Sequence, residues 1–174
     1  MGIWLSNSAA TATPFAKSRA LPPPSPTTSE QPASRAIRAA YDAGINAFDT
    51  AESYGRGHSE RIVGEALAPV RDHVILATKV ASHLLQYDQV IEACHRSLKN
   101  LATDVIDLYQ IHWPAGSFGS RKVPIEETMR AMNDLKAQGK IQANAYSKFS
   151  RAQIEAPARR GRIDSLQPPS SLLW

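Results

Sequence analysis

From Ser34 onward, short apolar runs alternate with stretches whose apolar residues recur every three or four positions. INAFD (45–49), VILAT (74–78), VIDLYQI (105–111), IQANAY (141–146) and SLQP (165–168) read as strands. Between them the period is helical. Ile37, Ala40 and Tyr41 share a face, and Gly44 suits the position just past a helix end. Ser59 is a candidate cap for a helix through Ile62, Val63 and Leu67 that stops before Pro69. Asp88 opens the helix 88–101. Pro124 suits the first turn of a helix over 124–138, and Gly139 stops it. RAQIEAPARRG (151–161) reads as a helix that carries Pro157 inside it, where proline removes a hydrogen bond and clashes with the preceding turn. Alternation of this kind predicts an α/β fold with βαβ units and a parallel sheet. The strands are continuous apolar runs, which predicts burial on both faces, as in a barrel or a doubly wound sheet.

Polar residues punctuate these runs. Asp49 ends the first strand, Lys79 directly follows the second, His112 directly follows the third, and Tyr54 lies one turn beyond Asp49. A (β/α) barrel places its catalytic groups at such strand ends. The four types suit reduction of an aldehyde or ketone, which needs a hydride on carbon and a proton on oxygen. No side chain donates hydride, so a nicotinamide is implied. Tyr54 is the candidate proton donor, with Lys79 nearby to lower its pKa. Asp49 would keep Lys79 charged and oriented, and His112 would hydrogen-bond the substrate carbonyl. Taken singly each residue has an ordinary reading: a turn former, a packed aromatic, a surface lysine, a satisfied core histidine. One reaction needs all four together.

Composition narrows the class. The chain has 174 residues, 43% hydrophobic and 21% charged, enough for one domain with a real core. No apolar stretch approaches the roughly 18 residues needed to cross a bilayer. The net charge of +4 is dispersed, and Arg159, Arg160 and Arg162 read as a solvated helix end; no aromatic or glycine-rich nucleic-acid motif accompanies them. A single cysteine, Cys94, excludes an intramolecular disulfide and agrees with a reducing, cytoplasmic setting. It shares a helical apolar face with Val90, Ile91, Leu98 and Leu101 and reads as core. Residues 1–33 differ: they are rich in Ser, Thr, Ala and Pro, run PPPSP over 22–26, and have no acidic residue before Glu30. They read as a disordered leader ahead of a domain over 34–174. Arginine is sparse there and no amphipathic period is visible, which argues against a targeting signal.

The segments DTAESYGRGHSERIVGEAL, VILATKV, DVIDLYQIHWP, EETMRAMNDLKAQGKI and RIDSLQPP resemble the aldo-keto reductases, over about residues 35–174. The resemblance implies a TIM (β/α)8 barrel that binds NADPH and reduces carbonyls through an Asp-Tyr-Lys-His tetrad. Asp49, Tyr54, Lys79 and His112 occupy those positions. The subgroup resembled is bacterial, with QIHWP and a GSFG loop at Gly116–Gly119. Trp113 then lines the substrate pocket, or else is a structural aromatic beside the strand end. The family binds the nicotinamide carboxamide with a Ser-Asn pair and a Gln; Ser147, Lys148 and Gln167 stand there, and Lys148 loses the amide acceptor. Asn144, facing a barrel interior, would need a partner.

By the same resemblance the chain holds about five βα units plus a sixth strand, a partial barrel that stops before the loops for the cofactor pyrophosphate and 2′-phosphate. MGIW at the start is a remnant of the family's opening strand. Open sheet edges could pair copies into a homo-oligomer. Two functions stay open: NADP(H)-dependent reduction of a small carbonyl with Tyr54 as general acid, or a noncatalytic NADPH-binding or regulatory module, or inactive fragment. No metal, nucleic acid or membrane is expected.

Overall fold

A computed structural model describes residues 4–6, 32–158 and 163–168, with the backbone alone for 4–6 and 155–158. Most of the expected leader, and Arg159, Arg160 and Arg162, lie outside the described residues. The elements run β1 (Trp4–Ser6), α1 (Pro32–Asp42), β2 (Ala47–Asp49), α2 (His58–Leu67), β3 (Ile75–Val80), α3 (Tyr87–Leu101), β4 (Ile106–Ile111), α4 (Ile125–Ala137), β5 (Ile141–Ser147), α5 (Arg151–Ala158) and β6 (Ser165–Gln167). All six strands form one sheet in chain order. β2 to β6 are mutually parallel, as the alternating pattern predicts, and curl into a half-barrel. β1 departs from that: Trp4–Ser6 runs antiparallel to β2, with Trp4 opposite Asp49, and residues 1–3 of the expected opening strand lie outside the described residues. Helical structure begins at Pro32, two residues ahead of the expected boundary.

Strand parity assigns the two faces. Phe48 pairs with Leu76, Thr78 with Tyr109, and Val80 with Ile111, which pairs in turn with Tyr146. Phe48, Leu76, Val80, Tyr109, Ile111 and Tyr146 pack with Ile62, Val63, Leu67, Leu98, Met132 and Leu135 from the helices into one core. The opposite parity brings Lys79 beside Gln110, Gln110 beside Ala145, and Ser147 beside Gln167. The helix side of the strands is mostly apolar, with Thr78 and Asn144 on it, and the inner face carries Asp49, Lys79, Gln110, Ser147 and Gln167. β3, β4 and β5 are largely buried on both faces, as their continuous apolar runs predict. Asn144 pairs with Tyr109, so it lies on the helix side and not in the barrel interior. Its Oδ1 is buried without a partner among the described residues, while its N–H donates to Asp164 Oδ2 at 3.0 Å.

Helix starts differ in detail from the sequence reading. Ser59 does not cap α2. Gly57, at φ 80°, precedes the helix, and Ser59 lies inside the first turn, accepting from Thr50 Oγ1 at 3.0 Å. Asp88 also falls inside the first turn; α3 starts from Gln86, whose N–H donates to Gln89 Oε1 at 3.4 Å. The carboxylate of Asp88 still favours the positive end of the helix. Pro124 is the residue before α4 rather than in its first turn, where it likewise gives up no needed N–H. Gly139 turns the chain at φ 70°, as read. Gly64 sits in α2 where a Cβ would meet the Leu101 carbonyl oxygen at 2.4 Å, so glycine sets how closely α2 approaches the end of α3. Glu60, fully buried, accepts from Thr78 Oγ1 at 2.7 Å and Asn100 Nδ2 at 2.9 Å and so ties α2 to β3 and α3. Cys94 is buried in the core, and burial pushes its thiol up to about 12, which leaves it chemically quiet.

Candidate active site

The inner face converges on Asp49. Its Oδ2 accepts from Lys79 Nζ at 2.6 Å and from Gln167 Nε2 at 3.2 Å; its Oδ1 accepts from Gln110 Nε2 at 3.0 Å. Lys79 is 2% exposed and also donates to the Thr50 carbonyl at 2.8 Å. Burial pulls its pKa down, Asp49 opposes that, and Lys148 adds to it. The ion pair is thus the condition for keeping a charge at this depth.

Tyr54 and His112 stand against this pair. Their rings meet edge to face with centroids 5.7 Å apart, and Lys79 Nζ lies 5.8 Å from the Tyr54 ring centre. All four residues singled out from strand ends are therefore brought together. One electrostatic expectation fails. Burial and the Asp49 carboxylate push the Tyr54 pKa up, whereas Lys79 was expected to lower it. The main reason is burial, which disfavours the charged phenolate, and the Asp49 carboxylate that pairs with Lys79 adds to it.

His112 is buried, and its pKa falls to about 4 through burial first, then the charges of Lys148 and Lys79. At neutral pH it is an uncharged hydrogen-bonding group. Ser53 Oγ lies 3.4 Å from Nδ1; with that hydroxyl donating, the imidazole proton sits on Nε2. A row of rings continues outward. His112 and Trp113 centroids are 6.3 Å apart, and Phe118 of the Gly116–Gly119 loop meets Trp113 edge-on at 5.1 Å. Trp113 thus stands at the site, with an exposed Phe118 as its outer neighbour.

The second group comes from β5 and β6. Ser147 Oγ donates to Gln167 Oε1 at 3.2 Å, and Gln167 reaches Asp49, so both are at the same centre. Lys148 has φ 59° and places Nζ 4.7 Å from the Trp113 ring centre; its N–H donates to the Gln167 carbonyl at 3.0 Å. Three contributors escaped the sequence reading: Gln110, Ser53 and Thr50. Gln110 had a signal, being a polar residue inside an apolar strand two positions before His112. Ser53 and the Thr50 carbonyl had none. No group of three or more His, Cys, Asp or Glu among the described residues is placed to hold a metal, and no helix among them is long and apolar enough to cross a membrane.

The aldo/keto reductase family model matches residues 21–173. The chain belongs to that family. The match reaches into the segment read as a leader. The chain is 43% identical to the aldo-keto reductase YhdN of Bacillus subtilis (strain 168) over 155 residues, which is 83% of this chain and 45% of YhdN. Among solved structures, the thermostable aldo-keto reductase Tm1743, in complex with the inhibitor epalrestat, superposes with a TM-score of 0.72 at 33% identity, over 79% of this chain and 49% of that one. An aldo/keto reductase from Klebsiella pneumoniae in complex with NADP and acetate gives 0.66 at 34% identity, over 77% of this chain and 47% of that one. The chain therefore spans about half the length of these relatives.

Proposed function

We propose that this chain carries the proton-handling and nicotinamide-orienting part of an NADPH-dependent reductase of small aldehydes or ketones. The observation that carries this reading is the convergence of Tyr54, His112 and the buried Lys79–Asp49 pair on one inner face. The donor set at β5 and β6 fits a carboxamide: Ser147 and Gln167 offer both donors and acceptors, and Lys148 offers donors. In this reading Ser147, Lys148 and Gln167 hold the nicotinamide end, and the bound nicotinamide supplies the hydride for the carbonyl carbon.

The chain's own residues do the rest. Neutral His112 donates a hydrogen bond to the substrate carbonyl and fixes its direction. Tyr54, protonated at neutral pH as an ordinary phenol is, delivers the phenolic proton to the carbonyl oxygen as charge develops there. An alkoxide is far more basic than a phenolate, so this transfer runs downhill even from a weak acid. Lys79 faces the Tyr54 ring and opposes the phenolate left behind, with Asp49 holding it in place. Trp113 walls the substrate side.

The test is NADPH oxidation with a generic aldehyde, read by absorbance. Tyr54→Phe is expected to lower kcat/KM by about 10²-fold or more while leaving circular dichroism unchanged. Equal rates for Tyr54→Phe and the parent chain would sink the reading. NADPH binding without turnover in the parent would favour a noncatalytic nucleotide-binding module instead.

A further inference from the structure

Asp49, Lys79 and His112 are carried at strand ends, and Tyr54 is not. It lies in the turn between β2 and α2, ahead of three residues in left-handed backbone: Gly55 at φ 59°, Arg56 at 53° and Gly57 at 80°. Hydrogen bonds from the Tyr54 N–H to the Ala51 carbonyl (3.0 Å), from the Gly57 N–H to the Glu52 carbonyl (2.8 Å) and from the Ser59 N–H to the Tyr54 carbonyl (3.3 Å) shape this turn from within. They do not fix where it sits against the sheet. The side chain of Glu52 does. Its Oε1 accepts from the Ala81 N–H at 2.9 Å, just past the end of β3 and two residues beyond Lys79. Its Oε2 accepts from Arg96 Nη2 of α3 at 3.4 Å. The Glu52 side chain is 11% exposed, whereas Arg96 is half exposed. Burial raises the Glu52 pKa, and the Ala81 N–H and Arg96 oppose that. A carboxylate at this depth is costly, and the proposed chemistry does not use it.

We propose that Glu52 is a positioning residue: by bridging the Tyr54 turn to the end of β3, it sets the place of the Tyr54 phenol relative to the Lys79 ammonium. The proposal rests on the reductase reading above, in which Tyr54 gives the proton. Lys79 and Ala81 follow one another along the same strand end, so a turn pinned to Ala81 is pinned relative to Lys79. Lys79 Nζ lies 5.8 Å from the Tyr54 ring centre, a gap that a turn swinging on its two glycines would widen. The bridge depends on an acceptor at the right reach, not on the charge.

A crossed pair of variants of the full chain separates reach from charge. Glu52→Asp keeps the charge and is one methylene too short for Ala81; Glu52→Gln keeps the reach and the acceptor and loses the charge. Both carry a carbon-13 label at tyrosine Cζ, the Tyr54 signal is identified by its loss in Tyr54→Phe, and each chain is titrated through the phenol range. In the parent and in Glu52→Gln, Tyr54 should titrate above the ordinary 10.0; in Glu52→Asp it should move down toward 10.0 as the ring swings into water. Burial and Asp49 raise the Tyr54 pKa, so such a shift reports a moved ring. With NADPH and an aldehyde, Glu52→Asp should lower kcat by about 10²-fold, the cost of a misplacement of about 1 Å, with KM for the aldehyde within about 2-fold. Glu52→Ser, which leaves room for a water on the Ala81 N–H, takes the place of Glu52→Asp if that chain fails to fold by circular dichroism. An unmoved Tyr54 titration in the short variant would overturn the proposal, and so would a Glu52→Gln chain that shifts as far as Glu52→Asp. The titration needs neither cofactor nor turnover: a parent that does not oxidise NADPH sinks the reductase reading, and the signal of Tyr54 still decides what holds its ring.

Discussion

On β2, β3 and β4 the buried polar groups of the site are tied to neighbours: Lys79 to Asp49 and Thr50, Asp49 also to Gln110, and His112 to Ser53. On β5 and β6 the arrangement is looser. Ser147 and Gln167 share one 3.2 Å hydrogen bond, Gln167 reaches Asp49 at 3.2 Å from a strand with one sheet neighbour among the described residues, and Lys148 rests on Trp113 in a left-handed backbone. The two regions face the same space but are determined to different degrees. A group buried between two strands must have its partners built in, since unpaired charge is costly there. A group at the rim can leave its partner to a ligand. In the proposed function the first region would carry the reaction and the second the recognition, with Lys148 standing where the family has an amide.

The comparison can be broken most forcefully at Asp49. Asp49→Asn leaves Lys79 charged and buried without a counter-ion, so stability should fall by about 3 kcal/mol or more, measured by urea denaturation. A loss below about 1 kcal/mol would show that the paired region is no more constrained than the rim. Gly64→Ala tests whether the helix layer shares that rigidity. The added methyl meets the Leu101 carbonyl, and overpacking should cost about 1–3 kcal/mol; an unchanged urea midpoint would show that α2 shifts freely over α3.

A pH series sharpens the comparison further. The His112 pKa is about 4 in the folded chain, below its ordinary value of 6.5. The unfolded chain therefore binds the proton more readily, and this residue's contribution drops as pH falls from about 6.5 to about 4. His112→Gln should flatten that part of the denaturation midpoint against pH, with no difference above pH 7. The smallest effect belongs to the rim. Asn tolerates the left-handed region better than Lys, so Lys148→Asn should stabilise the chain by about 0.5 kcal/mol. A clear destabilisation would mean that the contact with Trp113 outweighs the backbone strain.

Much of the fold was legible because a buried strand and an amphipathic helix write different periods into the chain. The parallel order of β2 to β6 and the positions of α1 to α5 followed from that alternation. Helix starts were less legible: Ser59 and Asp88 carry capping side chains, yet Gly57 and Gln86 hold the positions before the first turns, because the loop path decides where helical dihedrals begin. The site followed the same division. Asp49, Lys79 and His112 were visible as polar residues at the ends of apolar runs, and Gln110 was visible but unread. Ser53 could not be read, since its meaning lies in a contact with a residue 59 positions away.

The sequence by itself determined the alternation of strands and helices, the membership in a reductase family, and the identity of the four residues that meet at the inner face. Only the tertiary structure decided which face of each strand is polar, that Asn144 turns toward the helices, that Lys79 pairs with Asp49, that burial raises the Tyr54 pKa, and that Lys148 lies over Trp113. The physical reason is that composition and period are local, whereas burial and electrostatic compensation depend on distances between residues that the chain alone keeps far apart.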